Sequence, residues 1–234
     1  MPNHLSTWTE IENSKLAFLP IGSTEQHGPH MPVCTDTLIA TALAEELAKR
    51  FYDSYVLPPI PFSSSFEHAG FPGSVSLRVS TISAVISDIL YSLELSGIKK
   101  CVMITGHMGN HLLRNITQEL NVVSPRILLI PSAKHWQNAY TNVGLKTTTS
   151  ADMHAGEGEA SIIMSINPDY VRMNEIVDQD HPKRPLLEVL GMKGYTELGH
   201  IGFPSYASVE KGKALLAALV DDLSGIVKEF VDIG

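Results

Sequence analysis

The chain has 234 residues, enough for one substantial hydrophobic core and within the range of a single α/β domain spanning residues 1–234. Its formal net charge is -8 with lysine and arginine scattered, so the basic stripe that a phosphate backbone requires is missing and nucleic acid is not an expected partner. Met1 to Ser14 is polar, the apolar runs are strand-sized, and Cys34 and Cys101 are the only cysteines; the expectation is a soluble, cytoplasmic protein with no membrane partner and no disulfide framework.

Leu16 to Ile21 is short, apolar and closed by Gly22, the pattern of a buried strand. Tyr55 to Ile60, Lys100 to Thr105 and Arg126 to Ile130 read the same way. Helical patterns lie between them, over Thr37 to Phe51 and over Ser80 to Leu95, the second ending at Gly97 as a C-cap would. Alternating strands and helices imply right-handed crossovers and a mostly parallel sheet covered on both faces. After Pro131 the pattern is less regular. Tyr140 to Ser150, rich in threonine and asparagine, suits a surface loop or lid. A helix follows from about Gly158 to Ile166, then a turn at Asn167-Pro168-Asp169, an irregular excursion from Gln179 to Gly202 and a C-terminal helix over Ser208 to Val231.

The polar clusters sit just after the predicted strands, and in an open parallel sheet ligands bind at the carboxyl ends of strands. Glu25-Gln26-His27-Gly28-Pro29-His30, with Asp36 beyond, places oxygen and nitrogen donors where two divalent metal ions could be held. If the chain stays extended past Gly22, Glu25 and His27 share one side, and Asp36 returns to them after a loop stiffened by Pro29 and Pro32. A solvated loop with a helix N-cap at Thr35 or Asp36 is the competing reading. Cys34 is left out of the site, as a small space-filler. After the third strand, Gly106-His107-Met108-Gly109-Asn110 adds His107; this turn lacks the Lys-Ser/Thr pair of a nucleotide-phosphate loop.

Asp152-Met153-His154-Ala155-Gly156-Glu157-Gly158-Glu159 is a further cluster, in which one of His154 and Glu159 can bind metal while the other handles protons. Gly156 and Gly158 are read as leaving room for a substrate. Acidic residues at a helix start also serve as macrodipole partners, so Glu157 and Glu159 have a structural reading too. Ser63-Ser64-Ser65-Phe66-Glu67-His68 after the second strand is expected to shape a substrate pocket. No Gly-x-Ser-x-Gly elbow is present, so Ser65 is a hydrogen-bond donor rather than a nucleophile, and Glu67 with His68 is either a substrate contact or a structural pair.

These motifs resemble the creatininase (creatinine amidohydrolase) family: Gly22 to Pro32 with Thr35-Asp36-Thr37, Glu67-His68 with Phe71-Pro72-Gly73-Ser74, Gly106 to Asn110, and His154-Ala155-Gly156-Glu157 with Glu159. The resemblance implies a single α/β domain, a binuclear centre of zinc, manganese or iron, a homo-oligomer, usually a hexamer, and hydrolysis of a carbon–nitrogen bond. It also implies that Glu25 and His107 bind one ion, His27 the other, and that Asp36 bridges them. Creatininase carries a glutamate for the second ion where this chain has Gly109, so Glu159 is the candidate replacement and His154 the proton-handling group. Creatinine itself is thereby less expected as the substrate. Trp136 lies in a plausible region for enclosing one, beside Ser65, Glu67, His68 and Met108.

The mechanism expected on these grounds is attack of a metal-bridging hydroxide on the carbonyl of an amide, cyclic amide or short peptide, with no organic cofactor. The Glu67 to Ser74 stretch is somewhat more like the family's peptidases than like creatininase. A lactone or cyclic-ketone hydrolase and a catalytically silent metal- or ligand-binding homologue are the alternatives.

Overall fold

In a computed structural model, described for residues 2–181 and 183–233, the chain opens with a short helix α1 (Trp8–Ile11) and continues β1 (Leu16–Ile21), α2 (Thr35–Ala48), β2 (Ser54–Val56), α3 (Val79–Leu95), β3 (Lys100–Thr105), α4 (Leu112–Leu120) and β4 (Ile127–Ile130). The second half is helical: α5 (Ala133–Val143), α6 (Glu157–Ile166), a short α7 (Leu187–Leu190) and the long α8 (Val209–Asp232). The strands form one parallel sheet in the order β2-β1-β3-β4, so the fold class is α/β as expected.

Strand alternation splits the core between the two faces. Phe18, Val102, Ile104 and Ile130 pack against α2, α5, α6 and α8, whereas Leu19, Ile21, Cys101 and Met103 pack against α3 and α4. β1 is buried throughout, as an inner strand covered on both faces must be. It nevertheless contains Pro20, which has no ladder donor. Phe18 and Pro20 accept from Leu57 N–H and Ile60 N–H, so the missing donor of Pro20 points to the side where the chain after β2 has already left the sheet.

That departure shortens the second predicted strand. Regular pairing ends at Val56, because Pro58 and Pro59 carry no N–H, and Ile60 returns only as an isolated bridge to Ile21. α4 and α5 were not anticipated. α5 is started by Ser132, whose side chain and that of His135 cap each other's backbone, and it runs through Tyr140 to a left-handed Gly144. The predicted loop thus begins only after Val143. The excursion from Gln179 to Gly202, in which Pro182 lies outside the described residues, is otherwise irregular as expected, apart from α7. No helix among the described residues is long and apolar enough to cross a membrane.

Candidate metal centre

The chain leaving β1 and β3 and the first turn of α2 meet at the carboxyl edge of the sheet. A Cβ at Gly22 would collide with the Thr37 backbone, and one at Gly106 with the Asp36 carbonyl, so glycine at these places lets α2 begin directly on the strand ends. Asp36 is thereby brought against His27, with Oδ1 3.1 Å from Nε2, while Ser23 Oγ donates to Oδ2 at 2.6 Å. As the second residue of α2, its carboxylate also lies at the favourable end of the helix dipole.

Glu25 is fully buried, and neither of its carboxylate oxygens has a hydrogen-bond partner among the described residues. Around its Oε1 stand His107 Nδ1 at 3.2 Å, His68 Nε2 at 3.3 Å and His154 Nδ1 at 3.8 Å. His107 Nδ1 is also 3.5 Å from Asp36 Oδ2. Among the described residues, three sets of side chains bring ligand atoms close enough to share an ion: Glu25 with His27 and Asp36, His27 with His154 and Glu159, and Glu25 with His68 and His154. Burying an ionised carboxylate costs several kcal/mol unless charge meets it, so the donors around Glu25 fit a cation. Carboxylate oxygen and imidazole nitrogen together suit zinc, manganese or iron.

Backbone and amide partners fix several of the rings. His27 Nδ1 lies 3.1 Å from the Glu25 carbonyl, to which it donates, turning Nε2 towards Asp36 and towards Glu159 Oε2 at 4.0 Å. His154 Nε2 donates to the Gln26 carbonyl at 2.7 Å, which leaves Nδ1 with its lone pair facing the cluster. The Gln26 amide is held by Gly199 O and Gly28 N–H, so its NH₂ group donates to His68 Nδ1 at 2.9 Å and His68 carries its own proton on Nε2, towards Glu25. Sequence reading passed over Gln26. Lying between Glu25 and His27, it should point away from them, and only the fold shows that its side chain returns beneath the histidines.

Glu159 is oriented by an unusual backbone. Ala155 is left-handed at φ 56°, which turns its N–H onto Glu159 Oε2 at 2.6 Å while its carbonyl accepts from His30 Nε2 at 2.8 Å. The following glycines do not make room for a substrate, as the sequence suggested. A Cβ at Gly156 would overlap Asp152 Oδ1, and one at Gly158 would overlap the Tyr140 hydroxyl. Asp152 needs that space, because it accepts from Glu157 N, Gly158 N, Phe203 N and the Tyr140 hydroxyl. Glu157 is turned out of the cluster, towards Thr147 and Lys211.

The charges are strongly coupled. Burial opposes a proton on His27, but Asp36, with Glu159 and Glu25, overrides it and lifts the pKa to about 9. Burial would raise Asp36, yet His27 and His107 hold it down to about 2. Glu159 is pushed up to about 7 by burial and by Asp36, against the pull of His27. His154 goes the other way: burial, with His27 and His68 nearby, drives it well below 6.5.

Beside this cluster lies a cavity of about 240 Å³ whose lining includes Met108, Trp136, Tyr140, Asp152, Met153 and Glu159, with no lysine or arginine among its lining residues. The indole Nε1 of Trp136 is buried without a partner. Ser65 and Glu67 are not part of this lining. Ser65 pairs with Ser76 at 3.0 Å, Glu67 lies 3.2 Å from His107, and His68 sits in the cluster beside Glu25.

Comparison with known proteins points to one family. Residues 4–227 match the sequence profile named Creatininase and described as creatinine amidohydrolase. A mycofactocin precursor peptide peptidase of Mycolicibacterium smegmatis is 29% identical over 226 residues, covering 92% of this chain and 85% of that protein. The creatinine amidohydrolase of Pseudomonas putida is 26% identical over 249 aligned residues, covering 95% and 94%. The crystal structure of a provisionally assigned creatinine amidohydrolase from Bacteroides fragilis superposes with a TM-score of 0.78 at 27% identity, over 94% of this chain and 90% of that one.

Proposed function

The chain belongs to the creatininase family, and from that premise we propose that it is a metal-dependent hydrolase of carbon–nitrogen bonds, acting as one domain on a small amide or short peptide. The observation that carries this reading is the buried Glu25 carboxylate, unpartnered and ringed by imidazoles at the carboxyl end of a parallel sheet. Relatives whose names denote a creatinine amidohydrolase and a peptide peptidase support the choice of bond. In this reading Glu25 and His107 would hold one divalent ion, His27 and Glu159 would hold a second, and Asp36 would contribute to both. Such ions, zinc, manganese or iron, lower the pKa of bound water towards about 7 and polarise a carbonyl oxygen.

The protein's own contribution follows from the geometry. The Gln26 carbonyl holds the His154 ring with its Nδ1 lone pair turned into the cluster, the orientation in which it would pass a proton to a leaving nitrogen. Trp136, Met108 and Tyr140 give the cavity apolar walls against which a substrate would pack. With no cationic side chain in that lining, a neutral or cationic amide fits better than a phosphorylated one. The same reading carries a cytoplasmic location, where the unpaired Cys34 and Cys101 would stay reduced, and a homo-oligomer, a hexamer by family resemblance.

Metal stoichiometry by elemental analysis, alongside hydrolysis of an amide and peptide panel, tests the proposal. The expected result is a pair of ions per chain, both lost in Asp36→Ala and one in His27→Ala. A chain that binds one ion and turns over nothing is instead a silent binding homologue.

A further inference from the structure

We propose that Glu67 is a positioning residue for His107, and that Gly109 is the residue that lets it reach. This inference rests on the metal-centre reading above. The imidazole of His107 has its Nδ1 on the Glu25 and Asp36 side, at 3.2 and 3.5 Å, and its Nε2 on the opposite side, 3.2 Å from Glu67 Oε1. The Glu67 contact is short in distance but off the ring N–H direction, and no other acceptor among the described residues serves that nitrogen. A ligating histidine that gives its second N–H to a carboxylate has its tautomer fixed, its ring oriented and its basicity raised.

The carboxylate reaches Nε2 because of what is missing between them. A Cβ on Gly109 would overlap both Glu67 Oε1 and His107 Nε2, so any larger residue there must push one of them aside. Glu67 belongs to the turn Phe66–His68, and the next residue, His68, meets Glu25 at 3.3 Å. The same turn therefore reaches two ligand candidates. The backbone of that turn is tightly backed, since a Cβ on Gly191 would press on the Glu67 carbonyl at 2.8 Å. A glutamate at position 109, as creatininase itself carries, would compete with Glu67 for the same space. Glycine at this position leaves the space that a carboxylate from another loop occupies.

The test uses the full chain, stripped of metal and titrated with Zn²⁺ against a chromophoric chelator, with Co²⁺ spectra of the same variants. Glu67→Ala is expected to weaken one ion by about 10- to 100-fold, leave the other unchanged and alter the Co²⁺ absorption. Glu67→Gln, which keeps an acceptor oxygen, should recover most of that affinity. Gly109→Ala should resemble Glu67→Ala, and the double variant should be no weaker than either single one, because both remove the same contact. Thermal midpoints of the metal-free variants separate this from misfolding. Parental Zn²⁺ affinity and Co²⁺ spectrum in Glu67→Ala, or additive losses in the double variant, would overturn the inference while leaving the metal centre in place. A parent chain that takes up no ion would overturn both.

Discussion

At the residue scale, the proposed function gives His154 and Glu159 different tasks. His154 hydrogen-bonds through Nε2 to a backbone carbonyl and turns a bare nitrogen to the cluster, whereas Glu159 is fixed by the left-handed Ala155 and lies 4.0 Å from His27. His154→Ala is therefore expected to lower turnover per bound metal pair by about 10²- to 10⁴-fold with metal content nearly unchanged. Equal turnover per pair would remove His154 from the mechanism. Glu159→Gln keeps the bond from Ala155 N but loses the charge, and should empty one ion site. Full occupancy with normal activity would pass that role to solvent, because Glu157 is occupied by Lys211 and Asp152 by backbone amides.

At the scale of elements, the start of α6 shows how a loop is held so that its side chains can act. Asp152 accepts from the first amides of that helix and from Phe203 N, so it ties α6 to the segment entering α8. Burial raises its pKa, while those amides pull the other way. Asp152→Ala strands several buried donors and should cost roughly 2–3 kcal/mol. For a chain of this length that corresponds to a fall in thermal midpoint of about 4–12 °C. Activity and metal content should fall together with folded protein, unlike His154→Ala. An unchanged midpoint would mean that α6 is held by its packing on α8 alone.

For the whole molecule, the cluster couples stability to pH and to metal. Without metal, His27 titrates at about 9 in the folded chain and near 6.5 unfolded, so its contribution is complete below 6.5 and lost as pH rises to 9. His107, likewise raised well above 6.5 by Glu25, Glu67 and Asp36 against its burial, adds in the same direction. Below 6.5 the depressed His30, His68 and His154 act oppositely, since the unfolded chain binds their protons more readily. The metal-free protein should therefore lose thermal stability between pH 6.5 and 9. The metal-loaded protein should not, because metal replaces those protons and binds more tightly as pH rises. Midpoints measured across that range with and without chelator decide it, and parallel curves would contradict the coupling.

Local rules sufficed for much of this molecule. Leu16–Ile21 and Lys100–Thr105 were readable as buried strands because apolar runs of that length have one use in an α/β order, and polar motifs after them had to emerge at the sheet's carboxyl edge. The spacing of Glu25 and His27 announced a shared side. What no local pattern contains is the partner across the fold. Gln26 beneath His68 and His154, Glu67 behind His107 and Asp152 on the Phe203 amide are contacts between segments far apart in the chain. Even the glycines were misread for that reason. Gly156 looked like space for a substrate, and the space belongs to the Asp152 carboxylate. Sequence determined which donors stand at the strand ends, because periodicity and spacing are local; tertiary structure decided which nitrogen each ring presents, because that depends on the hydrogen bond made on its far side.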